Sequence, residues 1–263
     1  MSRLLLTSRA VALIALLVAG WPVLRWYALR LGDGSDEPWG LAALALALLF
    51  APWRSWGEPL APARRAWLCG LLALYCLALP WMPPLARALL LVTMIGIAAS
   101  VRGFSTAWWG LLVLSLPVVS TLQFYLGYPL RWLTTHLSVP LIALGGHTAR
   151  AAGTTLHWAG ERVIVDAPCS GIQMLWTGLL IATALACWHR LDLRGTFTLV
   201  RVAAAVVFVA NILRATALFF TETGLWPAPA WSHTGIGLGL FALSALAVLF
   251  TAERLAHRAL PVA

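Results

Sequence analysis

Three residues that could act together stand at the ends or outer halves of three separate apolar runs. Cys169 precedes one run, Arg214 lies inside the next, and His233 opens the last. A thiolate attacks carbonyl carbon, a neighbouring imidazole can activate the thiol, and a guanidinium can stabilise the thiolate or a developing oxyanion. Cys169 sits in Asp166-Ala167-Pro168-Cys169-Ser170-Gly171-Ile172. Proline tolerates the first helical turn, so the spacing predicts the thiol at or just inside a helix N-terminus, where amide N–H groups and the macrodipole favour a thiolate. A small cysteine packing a helix end fits the same position.

Arg214 falls about 25 Å into a helix that starts near Phe197, at about 1.5 Å per residue. An arginine at the centre of a spanning helix costs about 2.5 to 3.5 kcal/mol on insertion scales. Either its long stem carries the charge back to the interface, or it points inward. Asn211, three residues earlier on the same helical face, supports the inward orientation. His233 follows Trp226-Pro227-Ala228-Pro229 and is by itself an ordinary interfacial histidine. Ser170 is a second hydroxyl nucleophile beside a better one. Asp166 and Glu161 are loop carboxylates that could orient His233, bind a basic substrate region, or simply be solvated.

The remaining reactive side chains suggest no further chemistry. Cys69 and Cys76, seven apart on one helical face, are expected to pack in a core, and Cys187 lies at the far end of its run. His136, His147 and His157 lack metal-ligand spacing, and no Cys-x-x-Cys pair is present. Neither a metal nor a cofactor is expected, nor a disulfide framework.

The elements that position these residues are membrane helices. Of 263 residues, 61% are hydrophobic and 10% charged, with a mean hydropathy of +0.87. Backbone groups in lipid have to be satisfied within each segment, so helices are expected, each about 20 residues long. Eight spans are expected near residues 10–28, 39–53, 66–81, 85–101, 107–127, 169–188, 197–220 and 233–251. The first is expected to be a retained anchor, because Trp21 and Pro22 follow its apolar stretch and apolar character continues. The fold class is therefore an all-α polytopic membrane protein. It forms one domain over 1–263, with N-terminal helices in 1–106 and the candidate site in 107–263.

The net charge of +9 is carried by arginine alone, and its placement at segment ends argues against nucleic acid as a partner. With the N-terminus inside, eleven arginines fall inside: Arg3, Arg9, Arg54, Arg64, Arg65, Arg102, Arg190, Arg194, Arg201, Arg254 and Arg258. Six fall outside: Arg25, Arg30, Arg87, Arg131, Arg150 and Arg162. This bias puts both termini in the cytoplasm and residues 127–168 outside. Within that stretch, residues 129–150 are expected to form a helix lying in the interface or dipping into it. Residues 154–166, rich in β-branched side chains around Ala159 and Gly160, are expected to form a short hairpin leading to Cys169.

Ala167-Pro168-Cys169-Ser170-Gly171-Ile172, then Asn211-Ile212-Leu213-Arg214-Ala215, then His233 before a glycine-bearing span resemble the exosortase/archaeosortase family in order and interval. The resemblance covers roughly residues 100–250. It implies Cys169 as nucleophile, with Arg214 and His233 completing the active site. It also implies an extracytoplasmic cysteine protease or transpeptidase of the cell inner membrane. The implied partners are membrane-anchored proteins with a C-terminal sorting signal (motif, transmembrane helix, basic cluster), as in PEP-CTERM proteins, and a lipid or glycan acceptor. Pro168 and Gln173 stand where many relatives have alanine and arginine. Other classes fit less well. No Gly-x-Ser-x-Gly supports a rhomboid-like serine protease, and a disulfide oxidoreductase needs paired outer cysteines. A transporter or scaffold using Arg214 to bind an anion or lipid head group would carry inverted repeats or broken midplane helices. Reporters fused at the C-terminus and within residues 154–166 should report opposite sides of the membrane; the same side for both would overturn this topology.

Overall fold

The structure, a computed structural model, describes residues 8–32, 37–100, 105–227, 229 and 231–259. Arg3 and Arg102 of the arginine count, residue 101 at the end of the fourth expected span, and Ala228 lie outside the described residues. Ten helices and one small sheet form two compact units, Met1–Val118 with Arg190–Leu193, and Val119–His189 with Arg194–Ala263.

The first unit holds α1 (Arg9–Ala19), α2 (Trp21–Leu31), α3 (Gly40–Leu49), α4 (Pro62–Ala78), α5 (Pro84–Ala99) and α6 (Ala107–Leu114). The Ser8 hydroxyl caps α1 by accepting from the Val11 N–H. The first expected span is two helices bent by 65° at Gly20, where Pro22 lacks the N–H that would continue the ladder. Arg9 is buried. It donates to the Ser100 carbonyl at 3.2 Å and pairs with Glu58 at 3.4 Å. Arg64 donates to the same carbonyl, so the start of α1, the start of α4 and the end of α5 share one end of this unit. The Trp108 indole N–H donates to the Ala47 carbonyl at 2.8 Å and ties α6 to α3. Cys69 and Cys76 are exposed on α4 rather than packed in a core. Trp67, Leu74 and Leu77 are also exposed on this helix.

The second unit holds α7 (Val119–Leu144), α8 (Ile172–Trp188), α9 (Leu193–Glu222) and α10 (Ser232–Ala259), with strands β1 (Arg150–Ala152), β2 (Thr155–Trp158) and β3 (Glu161–Ile164). The expected fifth span is not continuous, because α6 ends at Leu114 and α7 begins at Val119. Residues 129–144 are not a separate interfacial helix; they continue α7 through Pro129 and Pro140. Thr135 and Ser138 hydroxyls donate to the carbonyls of Arg131 and Thr134, four residues back, at 2.8 Å each, and so satisfy their own polar groups within the helix. By length and apolarity alone, α9 and Ser232–Arg258 of α10 can each cross a membrane. The number rises to four if each bent helix pair is one span, and α3, α5 and α8 are shorter apolar helices.

The expected hairpin is a three-stranded antiparallel sheet in the order β1-β2-β3, with Arg150 opposite His157 and Thr155 opposite Ile164. Fully buried Leu156 docks it against Ile142 of α7 and Phe219 and Phe220 of α9. His147 meets Trp158 and Phe220 edge-on, and Phe220 stacks on Trp226 at 4.5 Å. The chain entering the Cys169 turn is thereby held at the C-terminal end of α9. Leu156→Ala should cost about 2 to 5 kcal/mol and release the sheet before the helices. Limited proteolysis should then cut near Gly153 and Gly160 while the helices stay intact; an unchanged cleavage pattern would show that this contact does not hold the sheet.

Candidate active site

Cys169 lies in a 3-10 turn, Pro168–Ser170, one step before α8. Gly171 separates the turn from the helix with φ +77°, a left-handed conformation that glycine adopts without strain. The thiol thus stands in a short 3-10 turn at the N-terminal approach to α8, separated from its first α-helical turn by Gly171. The Cys169 N–H donates to Asp166, to its carbonyl at 3.1 Å and its Oδ1 at 3.3 Å. Asp166 thus engages Cys169 and not His233.

This environment reverses the expected thiolate preference. Burial pushes the Cys169 thiol up to about 11, reinforced by its hydrogen bond to Asp166 and by that carboxylate's charge; the Arg214 guanidinium pulls the other way and Glu222 adds a smaller upward push. Desolvation and a nearby negative charge both disfavour a thiolate, so the resting group near neutral pH is a thiol.

A polar network holds the turn. Asn211, buried in α9, donates from Nδ2 to the Cys169 carbonyl at 3.1 Å and to the Thr134 hydroxyl of α7 at 3.2 Å. A Cβ at Gly171 would lie 2.7 Å from Asn211 Cγ, so the close approach depends on glycine twice over. The Ser170 hydroxyl donates to Gln123 Oε1 at 2.9 Å, and Gln123 Nε2 donates to the Ala167 carbonyl at 3.4 Å. Ser170 is buried and engaged in this contact. Gln123, Thr134 and Gly171 were not singled out from sequence; the available signal was a polar side chain within an apolar run, and a glycine just after the cysteine.

Arg214 follows Asn211 by one helical turn. Its charge acts on the Cys169 thiol, and its Nε is buried without a hydrogen-bond partner among the described residues. The side chain lies against Gly237 of α10, where a Cβ would approach Nε to 3.2 Å. The residue is half-buried. His233, exposed, stands four residues before Gly237 and so one turn along the same face of α10. Its ring forms no hydrogen bond among the described residues. Glu161 pairs with Trp158 in the sheet. Cys187 is buried near the other end of α8. No group of three or more His, Cys, Asp or Glu able to hold a metal is present among the described residues.

The transmembrane exosortase family model (EpsH type) matches residues 7–250. The chain belongs to the transmembrane exosortase family. No curated protein and no solved structure matches it at a significant level. The family match extends over the apolar N-terminal helices, beyond the segment in which the motifs were recognised. This exosortase is a membrane protein whose conspicuous cysteine, arginine and histidine all fall within the matched residues.

Asp166→Asn removes the negative charge that helps raise the thiol, while its amide oxygen can still accept. The thiolate fraction at a given pH should rise, and the midpoint of Cys169 alkylation, read by mass spectrometry of its peptide, should move down. The wild-type rate should still be climbing at about pH 10, since only thiolate reacts. An unchanged midpoint would show that Asp166 does not hold this proton.

Proposed function

We propose that this exosortase is a cysteine protease or transpeptidase that cleaves the C-terminal sorting signal of exported proteins and passes the product to an acceptor. Besides family membership, one observation carries the reading: Asn211 and Arg214, one turn apart on α9, address the same cysteine, one holding its carbonyl and the other acting on its thiol. Both termini are cytoplasmic in this proposal, and the site faces the extracytoplasmic side of the inner membrane, as the arginine bias favours.

The reaction is acyl transfer. Because the resting thiol is protonated, thiolate forms during turnover, with His233 taking the proton as the substrate docks. The sulfur attacks the scissile carbonyl carbon, and the carbonyl electrons move to oxygen, where the unpartnered Arg214 N–H donates to the oxyanion. Collapse expels the amine of the C-terminal fragment, which takes the proton from the His233 imidazolium, and leaves a thioester on Cys169. A hydroxyl or amine of a lipid or glycan acceptor then attacks the thioester and gives its proton to His233, and the departing sulfur takes that proton from the imidazolium to restore the thiol. Asp166 and Ser170 shape the turn, and Asn211 keeps its main chain in place.

Charge and geometry separate at Arg214. Lysine keeps the charge but replaces a planar five-donor fork with a point cation, and loss of one oxyanion donor reduces the rate on the order of a hundred- to a thousand-fold. Arg214→Lys should therefore accumulate unprocessed substrate at normal membrane levels, and Cys169→Ala should abolish processing. A near wild-type rate per inserted enzyme for the lysine variant would remove the role given to Arg214; full activity in Cys169→Ala would remove the enzyme assignment.

A further inference from the structure

Directly beside the Cys169 turn, a cleft of about 180 Å3 opens between α7, α8 and α9. Leu175, Ala204, Val207 and Phe208 wall it, and Ser170 and Gly171, the two residues after the cysteine, form its rim. From Asn211 to Ala204 it follows α9 for about 10 Å, at 1.5 Å per residue. The side-chain donors at the rim already have partners: the Ser170 hydroxyl donates to Gln123, and Asn211 Nδ2 to Thr134 and the Cys169 carbonyl. What the walls offer a ligand is apolar contact.

We propose that this cleft is a specificity pocket for one apolar side chain, that of the residue whose carbonyl Cys169 attacks. The proposal rests on the cysteine-nucleophile reading. Size supports it: an enclosed apolar cavity of about 150 Å3 holds a single benzene ring, so this cleft fits one aromatic or branched aliphatic side chain and is too short for a whole acyl chain. Position supports it too. Since the rim is the main chain that follows Cys169, the side chain beside the attacked carbonyl is the one within reach. Ala204, the smallest wall residue, keeps the deep end open, whereas Leu175 limits its width.

The test uses the full-length protein in lipid vesicles and acetyl-Gly, acetyl-Ala, acetyl-Leu and acetyl-Phe chloromethyl ketones as probes. Each probe alkylates the Cys169 sulfur with loss of chloride and presents one side chain next to its carbonyl. Wild type should react with the Leu or Phe probe about 10- to 200-fold faster than with Gly, the discrimination a hydrophobic pocket supplies. Ala204→Leu should erase that preference and leave the Gly rate near wild type. Leu175→Ala, which enlarges the cleft, should raise the Phe rate relative to Ala and keeps the test open if Ala204→Leu fails to insert. Equal rates for Gly and Phe in wild type, or one common factor for all probes in the variants, would overturn the pocket alone. Processing of a natural substrate by Cys169→Ala would instead overturn the parent reading, and the pocket with it.

Discussion

A carboxamide buried within an apolar helix has to find partners, because leaving it unpaired in such surroundings is costly. Asn211 finds two, the Thr134 hydroxyl and the Cys169 carbonyl. That requirement joins α7, the cysteine turn and α9 at one point. It also explains Gly171: only a residue without a Cβ can take the left-handed conformation and let the amide approach so closely. Arg214 projects from the next turn of the same helix, so the orientation that satisfies Asn211 also brings the guanidinium to the thiol.

A second constraint acts from the sheet side. Leu156, Phe219 and Phe220 bury one face of a small sheet that has few contacts of its own. The aromatic contacts among His147, Trp158, Phe220 and Trp226 extend that packing around the end of α9. Rings of this kind suit the boundary between lipid and water. Two of the histidines without metal-ligand spacing serve as packing surfaces, His147 against Trp158 and Phe220, and His136 stacked on Trp132.

The helical membrane class was legible because long apolar runs leave few alternatives, and the cysteine, arginine and histidine stood out because polar groups in such runs need a reason. Other features depended on contacts that spacing does not encode. Residues 129–144 resembled an interfacial segment because two prolines, Arg131 and His136 interrupt the pattern, yet α7 continues through both prolines. Strand β1 has only three residues, Arg150, Ala151 and Ala152, with no apolar alternation to announce it. The seven-residue interval between Cys69 and Cys76 gave a shared face but not which way that face points. The elevated thiol was hidden because a helix N-terminus by itself favours a thiolate, whereas burial and Asp166, which spacing does not show, act the other way.

The contacts that hold the turn grip the backbone around position 169: Asn211 takes its carbonyl, and Asp166 takes its N–H. Only the thiol proton's bond to Asp166 involves the sulfur. The side chain at this position can therefore be exchanged with little disturbance to the loop that carries it. On the proposed mechanism, a chain with alanine there would keep the surfaces that receive a client while lacking the atom that attacks it. Such an inert form is suited to bait: cross-linked in intact cells, it would hold clients at the point of engagement and let them be identified from the membrane itself.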